Sequence, residues 1–120
     1  DVSPRSGQWA AWLGGRDDDV SYIQQWVTVP TANPHLLYWH WISSRELCGH
    51  EYDFGAVLIN GRIVDKYDLC WLESTASWKP HEVDLAAYAG QTVLLEIRVE
   101  TDDSLFSELF VDDVSFANTP

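Results

Sequence analysis

The sequence predicts an all-β fold, an antiparallel two-sheet β-sandwich of about eight strands. Three observations lead there. Short apolar or alternating runs recur between turn signals along the whole chain. No segment repeats apolar residues at helical spacing over a useful length. The dipeptide Asn60-Gly61 sits between two strand-like runs, and its residue types supply the positive φ angles of a two-residue hairpin turn. Strands joined without helices do not build parallel sheets, so the layers are antiparallel.

Taken in order, the first strand spans 8–13 and ends at Gly14-Gly15 and the acidic turn Arg16-Asp17-Asp18-Asp19. The second spans 22–29, stopped by Pro30 and the loop Thr31-Ala32-Asn33-Pro34. The third, 36–43, belongs to the stretch Leu36-Leu37-Tyr38-Trp39-His40-Trp41-Ile42-Ser43-Ser44. Alternate side chains of a strand point to opposite faces, so Leu36, Tyr38, His40 and Ile42 share one face and Leu37, Trp39, Trp41 and Ser43 the other. Strands over 54–59 and 62–67 flank Asn60-Gly61. A short strand at 81–85 and a single helical turn or tight loop at 86–90 follow. Residues 92–101 alternate, with Val93, Leu95, Ile97 and Val99 on one face. The last strand is 107–116.

No linker or low-complexity tract divides the 120 residues, which read as one domain, 1–120. The hydrophobic share of 46% excludes a disordered chain. No apolar run approaches the roughly 20 residues of a membrane span, and there is no signal-peptide pattern at the start. With no methionine anywhere, the chain reads as a mature or excised fragment. The net charge of −12 repels nucleic acid and anionic membranes, so neither is expected as a partner. The acids either form a solvated surface or gather around a bound cation.

Cys48 and Cys70 are the two cysteines. A structural zinc site wants four nitrogen or sulfur ligands in CxxC-like pairs, which are missing. No thiol-nucleophile signature surrounds either residue. A disulfide between them closes a loop of about 22 residues, worth roughly 3 kcal/mol in the chain-entropy model, and favours an oxidising, extracellular location. Catalytic patterns are absent: no Gly-x-Ser-x-Gly, no His-Glu-x-x-His, no phosphate-binding glycine loop. The histidines 35, 40, 50 and 81 are scattered, so no enzyme is expected.

Asp17, Asp18 and Asp19 read as a solvated turn more readily than as a chelator, because consecutive residues point in different directions. Asp112 shares a predicted face with Phe110, Val114 and Phe116. A carboxylate buried there must be paired, hydrogen-bonded or metal-bound. Of the seven tryptophans, Trp9 and Trp12 have opposite parity on one strand, so one faces the core, and Trp78 reads as packing. Trp39, Trp41 and Trp71 are the candidate ligand-binding residues. Three readings stay open for the Trp39/Trp41 face: cover by loops such as 44–53 or 70–80, contact with sugar, or a protein interface.

Several stretches carry a family resemblance: Gly7-Gln8-Trp9-Ala10-Ala11-Trp12-Leu13-Gly14-Gly15, Gln25-Trp26-Val27-Thr28-Val29-Pro30, and Phe110-Val111-Asp112-Asp113-Val114-Ser115-Phe116. With Glu46-Leu47-Cys48-Gly49, Tyr52-Asp53, Val83-Asp84-Leu85 and Ala89-Gly90-Gln91-Thr92 between them, nearly the full chain resembles bacterial extracellular MAM-like and carbohydrate-binding-module-like jelly rolls. The resemblance implies a jelly roll with a tryptophan-bearing outer sheet face and one structural calcium, held by Asp112 with Asp113 and backbone carbonyls near Gly7. It also implies a first strand of the type Gly-x-Phe-Glu, with a glutamate ligand, which has no counterpart here. The sheet edge is therefore expected to be open, completed by a neighbouring chain or a cleaved segment. The function implied is a non-catalytic extracellular binding or adhesion module with carbohydrate as the leading ligand. The alternative is an interaction subunit of a surface assembly.

Overall fold

Strands form where apolar runs lie between turn signals: β1 Ala11–Gly14, β2 Val20–Thr28, β3 His35–Ser44, β4 Phe54–Ile59, β5 Arg62–Asp68, β6 Lys79–Asp84, β7 Thr92–Glu100 and β8 Ser107–Ser115. Two 3₁₀ turns, Trp71–Glu73 and Ala86–Tyr88, interrupt them. The computed structural model describes residues 2–8, 10–50 and 52–116. One sheet has the order β1-β8-β3-β6 and the other β2-β7-β4-β5, with antiparallel pairing throughout. The β4–β5 hairpin stays within one sheet, and every other connection crosses to the opposite sheet. That order is an eight-stranded jelly roll. The hairpin turn forms as its residues dictate: Asn60 and Gly61 both take positive φ, 52° and 82°.

The core is the layer between the sheets, where Leu36, Tyr38 and Ile42 of β3 meet Val57 and Ile59 of β4 and the alternating Val93, Leu95, Ile97 and Val99 of β7. β8 contributes Leu109 and Val111. Past Val111 the parity breaks. Trp39 pairs with Asp112 but Leu37 with Ser115, so one extra residue of β8 bulges, at Asp113, whose φ is 53°. The expected common face of Phe110, Asp112, Val114 and Phe116 is therefore split. Phe110 and Asp112 lie beside Trp41 and Trp39 on the outer side, whereas Phe116 packs against the core.

β1 also differs from expectation. It begins at Ala11, because the chain bends at Gln8. Trp9 lies outside the described residues, so its side of the predicted parity contrast is untested; Trp12 points outward and Leu13 inward. Being four residues long, β1 pairs only with Glu108–Val111.

The Cys48–Cys70 disulfide is formed, with Cα atoms 5.0 Å apart, and joins the β3–β4 connection to the segment after β5. Replacing both cysteines by serine is expected to lower unfolding stability by about 3 kcal/mol, read as a drop in urea midpoint. An unchanged midpoint would show that closing this loop stabilises nothing.

Candidate functional site

β3 runs inside its sheet, between β8 and β6, so both of its edges are paired. Its inner parity belongs to the core. Its outer parity begins an aromatic row that crosses three strands. Trp41 pairs with Phe110 of β8, and Phe110 pairs with Trp12 of β1. Trp12 and Phe110 stack with centroids 6.4 Å apart and planes 10° from parallel; Trp78 meets Trp41 edge-on at 6.0 Å. Together with Val2, Ser43 and Glu108, the residues Trp12, Phe110 and Trp41 line a cleft of about 500 Å³. That lies within the usual size range of small-ligand sites.

Trp12 is 63% exposed, yet it is held from three sides. Its plane lies against Phe110. Its indole Nε1–H donates to the Glu108 carboxylate at 2.8 Å. Gly15 sits directly under the ring: a Cβ there would come within 2.8 Å of it. A rigid, exposed aromatic ring offers a binding surface at little cost in side-chain entropy.

The N-terminal segment covers the other end of the row. The Arg5 guanidinium lies 3.6 Å above the Trp39 ring centroid, and Trp78 donates its indole N–H to the Ser3 carbonyl. The cover comes from Arg5 on Trp39 and from Trp78 on Trp41, so the expected 70–80 loop contributes through Trp78 and the N-terminal segment adds cover that was not expected. Trp71 does not join them. It is exposed on the 3₁₀ turn after β5 and does not line the cleft.

The same segment occupies the expected calcium position. The backbone N–H groups of Arg5 and Ser6 donate to Asp112 Oδ2, and the Arg5 guanidinium and Ser6 hydroxyl donate to Asp113. First the Ser6 hydroxyl, then Arg5, holds the Asp113 carboxyl below its ordinary range. Calcium requires oxygen ligands, and these carboxylates face N–H and O–H donors with a guanidinium already supplying positive charge. Asp112 and Asp113 are thus satisfied by Arg5 and Ser6, in the same segment as Gly7, a left-handed residue at φ 61°.

A second acidic group lies elsewhere and was missed from the sequence. Glu46 and Asp53, seven residues apart, and the distant Asp102 bring one carboxylate oxygen each to within 4.8 Å of one another, close enough to hold a metal ion. A third polar group lies between the sheets. Tyr38 and Tyr67 share a hydroxyl hydrogen bond of 2.8 Å, His81 Nε2 meets Asp65 at 2.7 Å, and His40 stacks on His81 at 5.0 Å. His40 Nδ1 is buried without a hydrogen-bond partner. A histidine–carboxylate pair can activate a nucleophile; the nearby sulfurs, Cys48 and Cys70, are tied in the disulfide.

No family model matches the chain. It is similar to a protein called Pre-pro-metalloprotease PrtV, in two strains of Vibrio cholerae serotype O1, M66-2 and ATCC 39315 / El Tor Inaba N16961. Each is 27% identical over 127 residues. The match takes in 94% of this chain but 13% of either relative. The likeness is to a small part of a larger protein. Together with the disulfide, it is consistent with an extracellular module. No helix among the described residues is long and apolar enough to cross a membrane.

Burial, and then the neighbouring His81, lower the His40 pKa to about 4. Because the folded value lies below the ordinary 6.5, the unfolded chain takes up a proton that the folded chain refuses. Stability is therefore lost as pH falls from about 6.5 to about 4, by up to about 3 kcal/mol. Burial raises the carboxyl pKa values of Glu46 and Asp53, which acts in the opposite sense. Comparing His40→Asn with the parent isolates the histidine. Urea midpoints at pH 7, 5.5 and 4.5 should fall more steeply for the parent than for the variant; equal slopes would refute the assignment.

Proposed function

We propose that this chain is a non-catalytic extracellular binding module of the MAM-like or carbohydrate-binding-module-like kind, with a neutral carbohydrate as ligand. The observation that carries this is Trp12: an exposed indole fixed by Phe110, Glu108 and Gly15 at the mouth of an aromatic cleft. An aromatic plane suits the apolar C–H face of a pyranose ring, while Ser43 and Glu108 can hydrogen-bond its hydroxyls. The charge of −12 disfavours polyanionic glycans. Likeness to 13% of a pre-pro-metalloprotease supports the role of an accessory module in a larger exported protein.

A second reading, an interaction subunit, has its own observation. An open gap of about 260 Å³ separates β2 from the end of β8 and is lined by Ile23, Val27, Leu95, Ile97, Val114 and Phe116. Beside it, the outer edge of β2 carries no paired strand among the described residues. Edges of this kind accept strands from other chains. Light scattering distinguishes the readings, since strand exchange gives a mass that rises with concentration and the binding module alone gives a monomer.

For the carbohydrate reading, native gels containing soluble β-glucan or xylan should retard the protein. Trp12→Ala should weaken that retardation at least tenfold, as loss of a central aromatic anchor does, with the melting temperature almost unchanged. Trp71→Ala, equally exposed but outside the cleft, should behave as the parent. Equal retardation of the Trp12 and Trp71 variants, or none for the parent, would sink the assignment.

A further inference from the structure

We propose that Glu46, Asp53 and Asp102 form a binding site for one structural calcium ion, which ties together two connections between the sheets. Glu46 lies in the β3–β4 connection, Asp53 immediately before β4, and Asp102 in the β7–β8 connection. The site is separate from the aromatic cleft and from Asp112.

Each carboxylate uses one oxygen on a backbone amide. Leu47 N–H donates to Glu46 Oε1 at 3.0 Å, Asp102 N–H to Asp53 Oδ1 at 2.8 Å, and Ser104 N–H to Asp102 Oδ1 at 3.2 Å. Glu46 and Asp53 are 1% and 0% exposed, and their second oxygens, Oε2 and Oδ2, are buried with no hydrogen-bond partner. A buried carboxylate oxygen without a donor is costly. Amides that fix one oxygen while aiming the other inward are how outer partners orient metal ligands. Arg5 and Arg98 make their ion pairs elsewhere, with Asp113, Glu96 and Glu100.

The spacing fits one ion. Two oxygens bound to the same calcium at about 2.3–2.6 Å can lie at most about 4.6–5.2 Å apart, and these three oxygens lie within 4.8 Å of one another. An all-oxygen set disfavours zinc, which prefers nitrogen and sulfur. Magnesium gives up its water reluctantly and is poorly suited to a cup this buried, whereas calcium takes mixed carboxylate, carbonyl and water shells. The acidic turn rests against the site, Asp18 N–H donating to the Asp102 carbonyl at 2.7 Å, and adds to the local negative field.

The test uses the whole chain, stripped with chelator and then given 10 mM calcium chloride or 10 mM magnesium chloride. Calcium should raise the melting temperature by about 5–10 °C, for a dissociation constant on the order of 0.1 mM, typical of extracellular sites. Magnesium should raise it by much less. Asp102→Asn, at a half-buried position, and Glu46→Gln should each reduce the calcium response to about 1 °C or less while keeping the parent's circular dichroism; if Glu46→Gln does not fold, Asp102→Asn decides. Asp112→Asn should keep the full response. The proposal is overturned if calcium leaves the stripped parent unchanged, if magnesium acts as strongly as calcium, if Asp102→Asn responds like the parent, or if Asp112→Asn alone abolishes the response.

Discussion

The apolar layer between the two sheets constrains everything else on this chain. Leu36 and Tyr38 on β3 and Val93 and Val99 on β7 are wholly removed from solvent, and the period-two geometry of a strand leaves no freedom in what happens on the reverse side. Once Leu109 and Leu13 face inward, Phe110 and Trp12 must face outward. Cross-strand register then sets them in line with Trp41. A slip of one residue in any of the three strands would bury the tryptophans and expose the core. The aromatic cleft is thus the reverse side of the core, held in place by the same packing.

Local patterns in the sequence were legible where the physics is local. The alternation of Val93, Leu95, Ile97 and Val99, and the Asn60-Gly61 turn, depend on neighbours a few residues away. Trp12 was harder. It lies between Ala11 and Leu13, so polarity alone does not say which of them turns inward; that is settled by the register with β8. The bulge at Asp113 was hidden for another reason: aspartate tolerates a left-handed backbone, but nothing in the surrounding residues demands it there. The bulge alone undoes the expected grouping of Asp112 with Phe116.

Long-range pairings were out of reach altogether. Arg5 lies over Trp39 and against Asp113, more than a hundred positions away along the chain. The polar N-terminal run gave no sign that it would fill a site assigned to an ion. Glu46, Asp53 and Asp102 come from two connections that only the jelly-roll path brings side by side. A motif records residue types and not what lies opposite them, so the resemblance named Asp112 and Asp113 without Arg5 and Ser6, which donate to them.

The antiparallel pairing of β1 with β8 has a mechanical consequence. Ala11 lies opposite Val111, and Arg5 reaches Asp113, so the described chain enters and leaves at neighbouring points on one side. A polypeptide carrying this domain would pass it as a pendant bead, adding little to its contour length. Tension along such a polypeptide would be borne by four residue pairs between β1 and β8, while the Cys48–Cys70 bond keeps its 22-residue loop closed behind them.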